Sequence, residues 1–393
     1  SRAEAIQELA LRGGEASDAS GADLVQDPIQ LVAVHFVQAI TPDAHGDWLK
    51  QRDDSFLEHI VLGDKKGDSP KLFENFSLGV VTNRDAWCYN ASKAGVAANM
   101  TRMIAFYNSE AERLAKRHPG LDKKQREAIL DDFIDPDATK IAWTRALKQD
   151  LAKDKRFAVD PECLVPGLYR PFNKQGLYFN RRFNEMVYQM PRFFPDAAAK
   201  NVVIGVSASD SRSAYSVFIS DHVTSLHAVD MVGSQYFPLY LYDDPDSAAT
   251  DDSPVQSALF SADGPSTRTS AAKRRDAITV EGLAHFQSAY PGETISREDI
   301  FYYVYGLLHS PYYRERFAAN LGKELPRIPC VKTAADFWSF SQAGRKLADL
   351  HLNYESVEPY PLKIDSAGKK LTDADYRVEK MRYGKKGKDK DLT

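Results

Sequence analysis

Cysteine is scarce in these 393 residues, and Cys88, Cys163 and Cys330 stand far apart with no Cys-x-x-Cys pair. That spacing argues against a disulfide framework or zinc knuckle and points to a reducing cytoplasm. No apolar run approaches the roughly 18 residues a bilayer span needs, and the N-terminus lacks the cationic-then-apolar design of a signal peptide. No membrane partner is expected. Catalytic signatures are missing as well. GDKKGDS at 63–69 lacks the spacing of GxxxxGK[ST], so no P-loop is expected. There is no GxGxxG after a strand to cradle a dinucleotide. The [DN]PP[YF] tetrapeptide, which holds a base amine in amino-methyltransferases, is absent, as are HExxH and GxSxG. The sequence therefore offers no catalytic constellation, no cofactor site and no metal site.

Charge of either sign is nearly balanced, at −4 net, which argues against wholesale coating of nucleic acid. One stretch departs from that balance. Residues 169–195 (YRPFNKQGLYFNRRFNEMVYQMPRFFP) carry Arg170, Lys174, Arg181, Arg182 and Arg192 against the single anion Glu185. A basic, aromatic, hairpin-like segment in a mildly acidic chain suits a surface that meets phosphate and bases. An ordinary amphipathic hairpin has the same composition, and composition does not separate the two.

The expected fold is α+β: a helical subdomain flanking a mostly antiparallel β region, with further C-terminal helices. Residues 1–39 read as a linker or domain edge of a longer protein, although LVAVHFV (31–37) has the composition of a short strand. Residues 40–155 read as helical. Ser92 caps a helix in which Val96, Met100, Ile104, Tyr107, Ala111 and Leu114 recur at steps of three or four, and Pro119-Gly120 ends it. Helices over 123–134 and 138–153 follow. Between 156 and 242 the period moves towards two, in short runs separated by Asn, Gly, Asp and Ser. Asn173-Lys174-Gln175-Gly176 is the expected turn of the first hairpin. Residues 243–275, rich in Ser, Ala and Asp, read as a long mobile loop or insertion. Helices resume through 276–365. Ser296-x-x-Asp299 has capping-box spacing, Pro311 opens a helix carrying Tyr313, Phe317 and Leu321, and a last helix spans 334–350. The tail from 366 to 393 is basic, and YRVEKMRY within it could add a strand.

Minor features take their ordinary readings. His222 and His227 lie five apart, which fits neither helical nor strand ligand spacing, and read as structural or surface histidines. Asp210-Ser211-Arg212 reads as a turn, with phosphate contact as its alternative. Asp131, Asp132, Asp135 and Asp137 read as solvated acids at a helix end.

Several ordered stretches together resemble one family. GDWLKQRDDSF (46–56), LGDKKG (62–67), LGVVTNRDAWCYNASK (78–93) and NMTRMIAFYN (99–108) resemble the region after the methyltransferase in type ISP restriction-modification enzymes. LYRPFNKQGLYFN (168–180), YQMPRFFP (188–195), SLHAVD (225–230), QYFPLYLY (235–242) and EDIFYYVYGLLHSPYYRERFAANLGKELPRIP (298–329) continue it in order. The resemblance runs over about 40–385; the 243–275 segment departs from the family pattern as an insertion. In that family one prokaryotic polypeptide joins a nuclease, a helicase-like ATPase, an adenine-N6 methyltransferase and a C-terminal target recognition domain. This chain resembles only the last. The resemblance implies double-stranded DNA as partner, beside the methyltransferase and helicase-like domains of the same polypeptide. It also implies S-adenosylmethionine, ATP and Mg for the parent enzyme, and none of them for this portion.

A recognition surface needs cations and amides on phosphates to set register, and a few side chains on base edges to specify. Arg to guanine and Asn or Gln to adenine are the bidentate pairs available. The candidates are Asn173, Lys174 and Gln175 at the hairpin tip, and Arg181, Arg182, Asn184 and Arg192 beyond it. Asn83 and Arg84 join them from the helical part, with Arg212 a weaker member. A solvated hairpin end competes for the first group, and a structural Arg84–Asp85 pair for the second. Tyr169, Phe172 and Tyr178 read as core. Two other functions stay open: a protein-coupling module without base readout, and a metal-dependent phosphodiesterase, whose acids would be unusually scattered.

Overall fold

The structure, a computed structural model, describes residues 52–243 apart from 68, 210, 212 and 213, then 273–361, with 42, 46–48 and 368–372 besides. The chain divides into two units, Ser1–Gln51 and Arg52–Thr393, and the description concerns the second. LVAVHFV, YRVEKMRY, Arg212 and most of the 243–275 segment lie outside the described residues.

The longer helices start where the sequence supplies caps. One turn, α1 (Asp85–Cys88), precedes α2 (Lys93–Arg117), which starts where Ser92 Oγ accepts the Gly95 N–H. α2 buries Val96, Met100, Met103, Ile104, Tyr107, Ala111 and Leu114 along one face. The Asp122–Gln125 capping box opens α3 (Lys123–Phe133), and Thr144 caps α4 (Arg145–Ala152). The helix expected over 138–153 is thus only its second half. Asp135 and Asp137 side chains accept the N–H groups of Asp137 and Thr139 as local turns, an alternative to helical bonding. After a short α5 (Met190–Phe193), helices return as α6 (Val280–Ala289) and α7 (Arg297–Leu308), the latter with both arms of the Ser296–Asp299 box in place. Pro311 does open a helix, but that helix breaks at Phe317 into α8 (Pro311–Arg316) and α9 (Ala318–Leu321). Phe317 packs instead on Phe56, ring centroids 5.0 Å apart. The last α-helix among the described residues, α10 (Ala334–Leu352), lies directly on α7. Glycine permits that approach, because a Cβ on Gly344 would stand 1.9 Å from the Tyr302 carbonyl oxygen. Among the described residues no helix is long and apolar enough to cross a membrane.

The strands are β1 (Ile60–Val61), β2 (Ser77–Leu78), β3 (Tyr89–Asn90), β4 (Leu164–Arg170), β5 (Asn173–Tyr178) and β6 (Val203–Ser207). They continue with β7 (Val217–Ser220), β8 (Val223–Thr224), β9 (Ser234–Pro238), β10 (Tyr240–Asp243), β11 (Lys273–Asp276) and β12 (Arg327–Ile328). Two four-stranded sheets carry the centre, ordered β2-β9-β6-β7 and β3-β5-β4-β8. All their pairings are antiparallel except β4 with β8. A parallel bridge between Val80 and Ser225, just past β2 and β8, joins the two sheets. The class is α+β, as expected, but the strands come from both sides of residue 155. The ends of the 243–275 segment are not loop: β10 pairs with β11 from Tyr240↔Asp276 to Asp243↔Lys273.

The first hairpin turns earlier than expected. Arg170 pairs with Asn173, so Pro171 and Phe172 form the turn, and Lys174 and Gln175 lie within β5. Proline presets the first central position, while Phe172 takes φ +54°, unusual for a bulky side chain.

Candidate nucleic-acid interface

The join between the sheets places a polar loop beside the hairpin. After Val80 the chain enters Thr82–Asp85, where Thr82 Oγ1 accepts the Arg84 N–H at 3.1 Å and its hydroxyl donates to Asp85. Asn83 is exposed at φ +51°, a conformation Asn tolerates better than most residues. The second Asp85 oxygen accepts the Tyr169 hydroxyl at 3.1 Å. Burial first, then the Asp85 charge, raises the pKa of that hydroxyl, which keeps it a donor. The Tyr169 ring packs on Tyr89 at 4.8 Å and carries the Arg170 guanidinium at 4.1 Å. Asp85 thereby ties the Asn83 loop to the Tyr169–Arg170 end of β4.

Arg84 is buried, 4% exposed, and its Nε and Nη1 find no acceptor. The Arg84–Asp85 pair allowed by the sequence is not what organises the loop, because Asp85 is engaged by Thr82 and Tyr169. Glu185 interacts electrostatically with Arg84, and its Oε2 is likewise buried without a partner. Burial lowers the Arg84 pKa, but a guanidinium stays charged.

The hairpin candidates fare differently from one another. Asn173 is exposed at the turn, and Gln175 Nε2 donates to its side-chain oxygen at 3.3 Å. Lys174 is drawn away from any groove. Its Nζ donates to the Leu352 carbonyl at 2.8 Å, at the end of α10, and its N–H donates to the Tyr354 hydroxyl at 3.2 Å. Phe172 lies edge-on to Phe218, Tyr354 and His351, at 4.8, 5.2 and 5.5 Å. The turn is an anchor onto the C-terminal helix rather than a free tip. Tyr178 is core, as expected, whereas Phe172 remains 50% exposed.

Beyond β5 the set scatters further. Arg181 is exposed, while Arg182 Nη1 reaches the buried Asp150 carboxylate on α4 at 3.4 Å. Asn184 is 2% exposed, a correction to its place among contact residues. Its amide donates to the Tyr178 carbonyl at 3.1 Å and its oxygen accepts the Asn180 N–H at 2.9 Å. Arg192 sits in a separate network, 2.7 Å from Asp243, which Arg275 links to Glu74. The nine candidates among the described residues do not make one patch. In the sequence Arg170 counts only as a charge, Tyr169 reads as core and Asp85 as a partner of Arg84, whereas the fold joins Asp85, Tyr169 and Arg170. Arg102, over Trp87 at 5.6 Å and bonded to Asn99, is a further exposed cation. Among the described residues no three His, Cys, Asp or Glu side chains gather as a metal ion would require.

The description "Type ISP C-terminal specificity domain" belongs to a family whose model matches residues 71–393. Among solved structures, a nuclease-deletion mutant of the Type ISP restriction-modification enzyme LlaGI, in complex with a DNA substrate mimic, is 32% identical with a TM-score of 0.65. That similarity covers 88% of this chain and 28% of LlaGI. The DrdV–DNA complex, solved by cryoEM, is 33% identical over 83% of this chain and 29% of that one, with a TM-score of 0.66. The ATP-dependent Type ISP restriction-modification enzyme LlaBIII bound to DNA is 32% identical over 89% and 20%, with a TM-score of 0.67. No curated protein sequence matches. The chain thus spans less than a third of each of these three proteins. With its match running from residue 71 to residue 393, the chain belongs to the Type ISP C-terminal specificity domain family.

Proposed function

We propose that this chain reads the sequence of duplex DNA for a longer restriction-modification polypeptide. The family match over 71–393 carries the reading, and three structural neighbours with DNA bound support it. The surface that fits best is the join of the two sheets. Exposed Asn83 offers the amide that pairs with adenine, and Arg170, tied to the same loop through Tyr169 and Asp85, offers a guanidinium group for guanine or phosphate. Asn173 remains available at the hairpin turn. Arg84, next to Asn83, is buried with Glu185 acting on its charge, and so is a support of the loop rather than a contact.

Other parts of the parent would then supply the chemistry: an adenine-N6 methyltransferase, which flips its base out of the stack, and a helicase-like ATPase with a nuclease. Those domains are the proposed intramolecular partners. S-adenosylmethionine, ATP and Mg belong to them, and the chain itself is a binding module working in a prokaryotic cytoplasm.

The test is binding to duplex DNA with Asn83→Ala and Arg170→Ala. Loss of a bidentate base contact costs about 1–3 kcal/mol, or roughly 5- to 150-fold in affinity, and relaxes preference at one base pair. Unchanged affinity together with unchanged preference would refute this placement of the surface.

A further inference from the structure

The connection from β8 to β9 ends in two neighbouring apolar side chains that the fold leaves in water: Met231 is 69% exposed and Val232 46%. The loop beneath them is heavily determined. The Asp230 side chain, itself 5% exposed, accepts the Ala208 N–H at 3.1 Å and the Val232 N–H at 3.3 Å. Ser234 Oγ, with its residue fully buried, accepts the N–H groups of Val229 and Asp230 at 3.2 and 3.0 Å. The Ser234 N–H closes the base on the Leu226 carbonyl at 2.9 Å. Gly233 takes φ +147°, which L side chains rarely adopt. Two buried polar side chains and a glycine are thus committed to holding an apolar tip outward.

The loop begins at the sheet join. Leu226 N–H donates to the Val80 carbonyl at 2.9 Å, and Val80 and Ser225 run parallel. The chain that leads to Asn83 and the chain that leads to Met231 therefore pass the join side by side and parallel, the second turning directly after it where the Ala228 N–H donates to the Ser225 carbonyl.

Two side chains are too few for a protein partner, since a stable protein interface buries about 800 Å² on each side. A groove of DNA, about 6 to 12 Å wide, admits a projection of that size. Inside it lie the apolar features such a tip can use, the thymine methyl group and the faces of an unstacked base step. We infer that Met231 and Val232 form an apolar base-contacting tip that adds sequence preference to the polar contacts of the Asn83 loop. The inference rests on the DNA-recognition reading above.

The experiment selects from a pool of duplexes with a randomised core, using the 393-residue chain and Met231→Ser/Val232→Thr. Both positions are exposed, so an unchanged thermal midpoint checks the fold, and Met231→Ser alone repeats the test if the double variant is unstable. The expected result is that the variant loses preference at one or two base pairs and binds the wild-type motif about 10-fold more weakly, with the remaining positions intact. An identical motif bound with identical affinity overturns the tip while leaving DNA recognition standing. If the wild-type chain enriches no motif, the recognition reading falls, and this inference falls with it.

Discussion

At the scale of single residues, Phe172 shows how contacts outside the hairpin decide its geometry. Local rules placed the turn at Asn173–Gly176, where Asn and Gly tolerate positive φ. The chain instead turns at Pro171-Phe172, and Phe172 adopts φ +54°. Three edge-on ring contacts, to Phe218, Tyr354 and His351, offset that strain. Each aromatic pair is worth about 0.5–1.5 kcal/mol beyond area burial, against about 1–3 kcal/mol for strained backbone. Replacement by glycine would remove both terms together with the apolar burial. Phe172→Gly is therefore expected to destabilise the chain by about 1–2 kcal/mol despite relieving φ, and Phe172→Tyr to be nearly neutral. Urea unfolding of the two variants measures this; a stabilised glycine variant would show that backbone strain dominates. Lys174 and Asn184 teach the same lesson. Their types suited a DNA contact, but their partners, Leu352 and Tyr178, are 178 and 6 residues away and invisible to local pattern.

At the scale of elements, the hairpin turn is docked on α10 through an aromatic cluster that contains two histidines. Phe218 stacks on His351 at 5.3 Å, the Tyr305 hydroxyl and His351 Nδ1 share a hydrogen bond of 2.6 Å, and His309 lies 5.7 Å from His351. Burial, then His351, then Arg314 bring the His309 pKa down to about 4. A histidine with a depressed folded pKa is neutral in the fold, while the unfolded chain takes up a proton near 6.5. Stability is therefore complete above pH 6.5 and declines as pH falls from there towards 4. The loss at pH 5 from this group is about 2 kcal/mol. Chemical denaturation at pH 7.5 and pH 5 is expected to show that slope, and His309→Gln to reduce it, the remainder coming from groups such as His351, whose pKa burial also lowers. An equal slope in the variant would assign acid sensitivity to other groups. The element boundaries that sequence does reveal are those set by caps within reach of their own helix: Ser92, Asp122 with Gln125, and Ser296 with Asp299. The split at Phe317 is not legible locally, since Phe317 packs on Phe56 and His59, far away along the chain.

At the scale of the whole molecule, the period-two runs after residue 156 revealed a β region but not its full membership. Strands β2 and β3 have two residues each, too short to show a period, yet each completes a four-stranded sheet. Ser77 pairs with Tyr236, and Tyr89 with Leu177. Residues 77–90 are therefore part of the same folding unit as 164–238, and the Asn83 loop reaches the hairpin because it belongs to that unit. This decides where specificity can be exchanged between relatives. A chimera that replaces only 157–242 must pair foreign β5 and β9 with native β3 and β2, and must reform the bridge between Val80 and Ser225 across the seam. It is expected to give less soluble protein and a lower thermal midpoint. A chimera that replaces 77–243 keeps both sheets, the bridge, the Asp85–Tyr169 tie and the Met231 tip within one source, and is expected to melt in a single transition near the parents. Comparing the two chimeras by yield and thermal unfolding is the measurement. Equal behaviour would mean that the pairing across residues 77–90 contributes little, and that the recognition unit is smaller than the sheet topology requires.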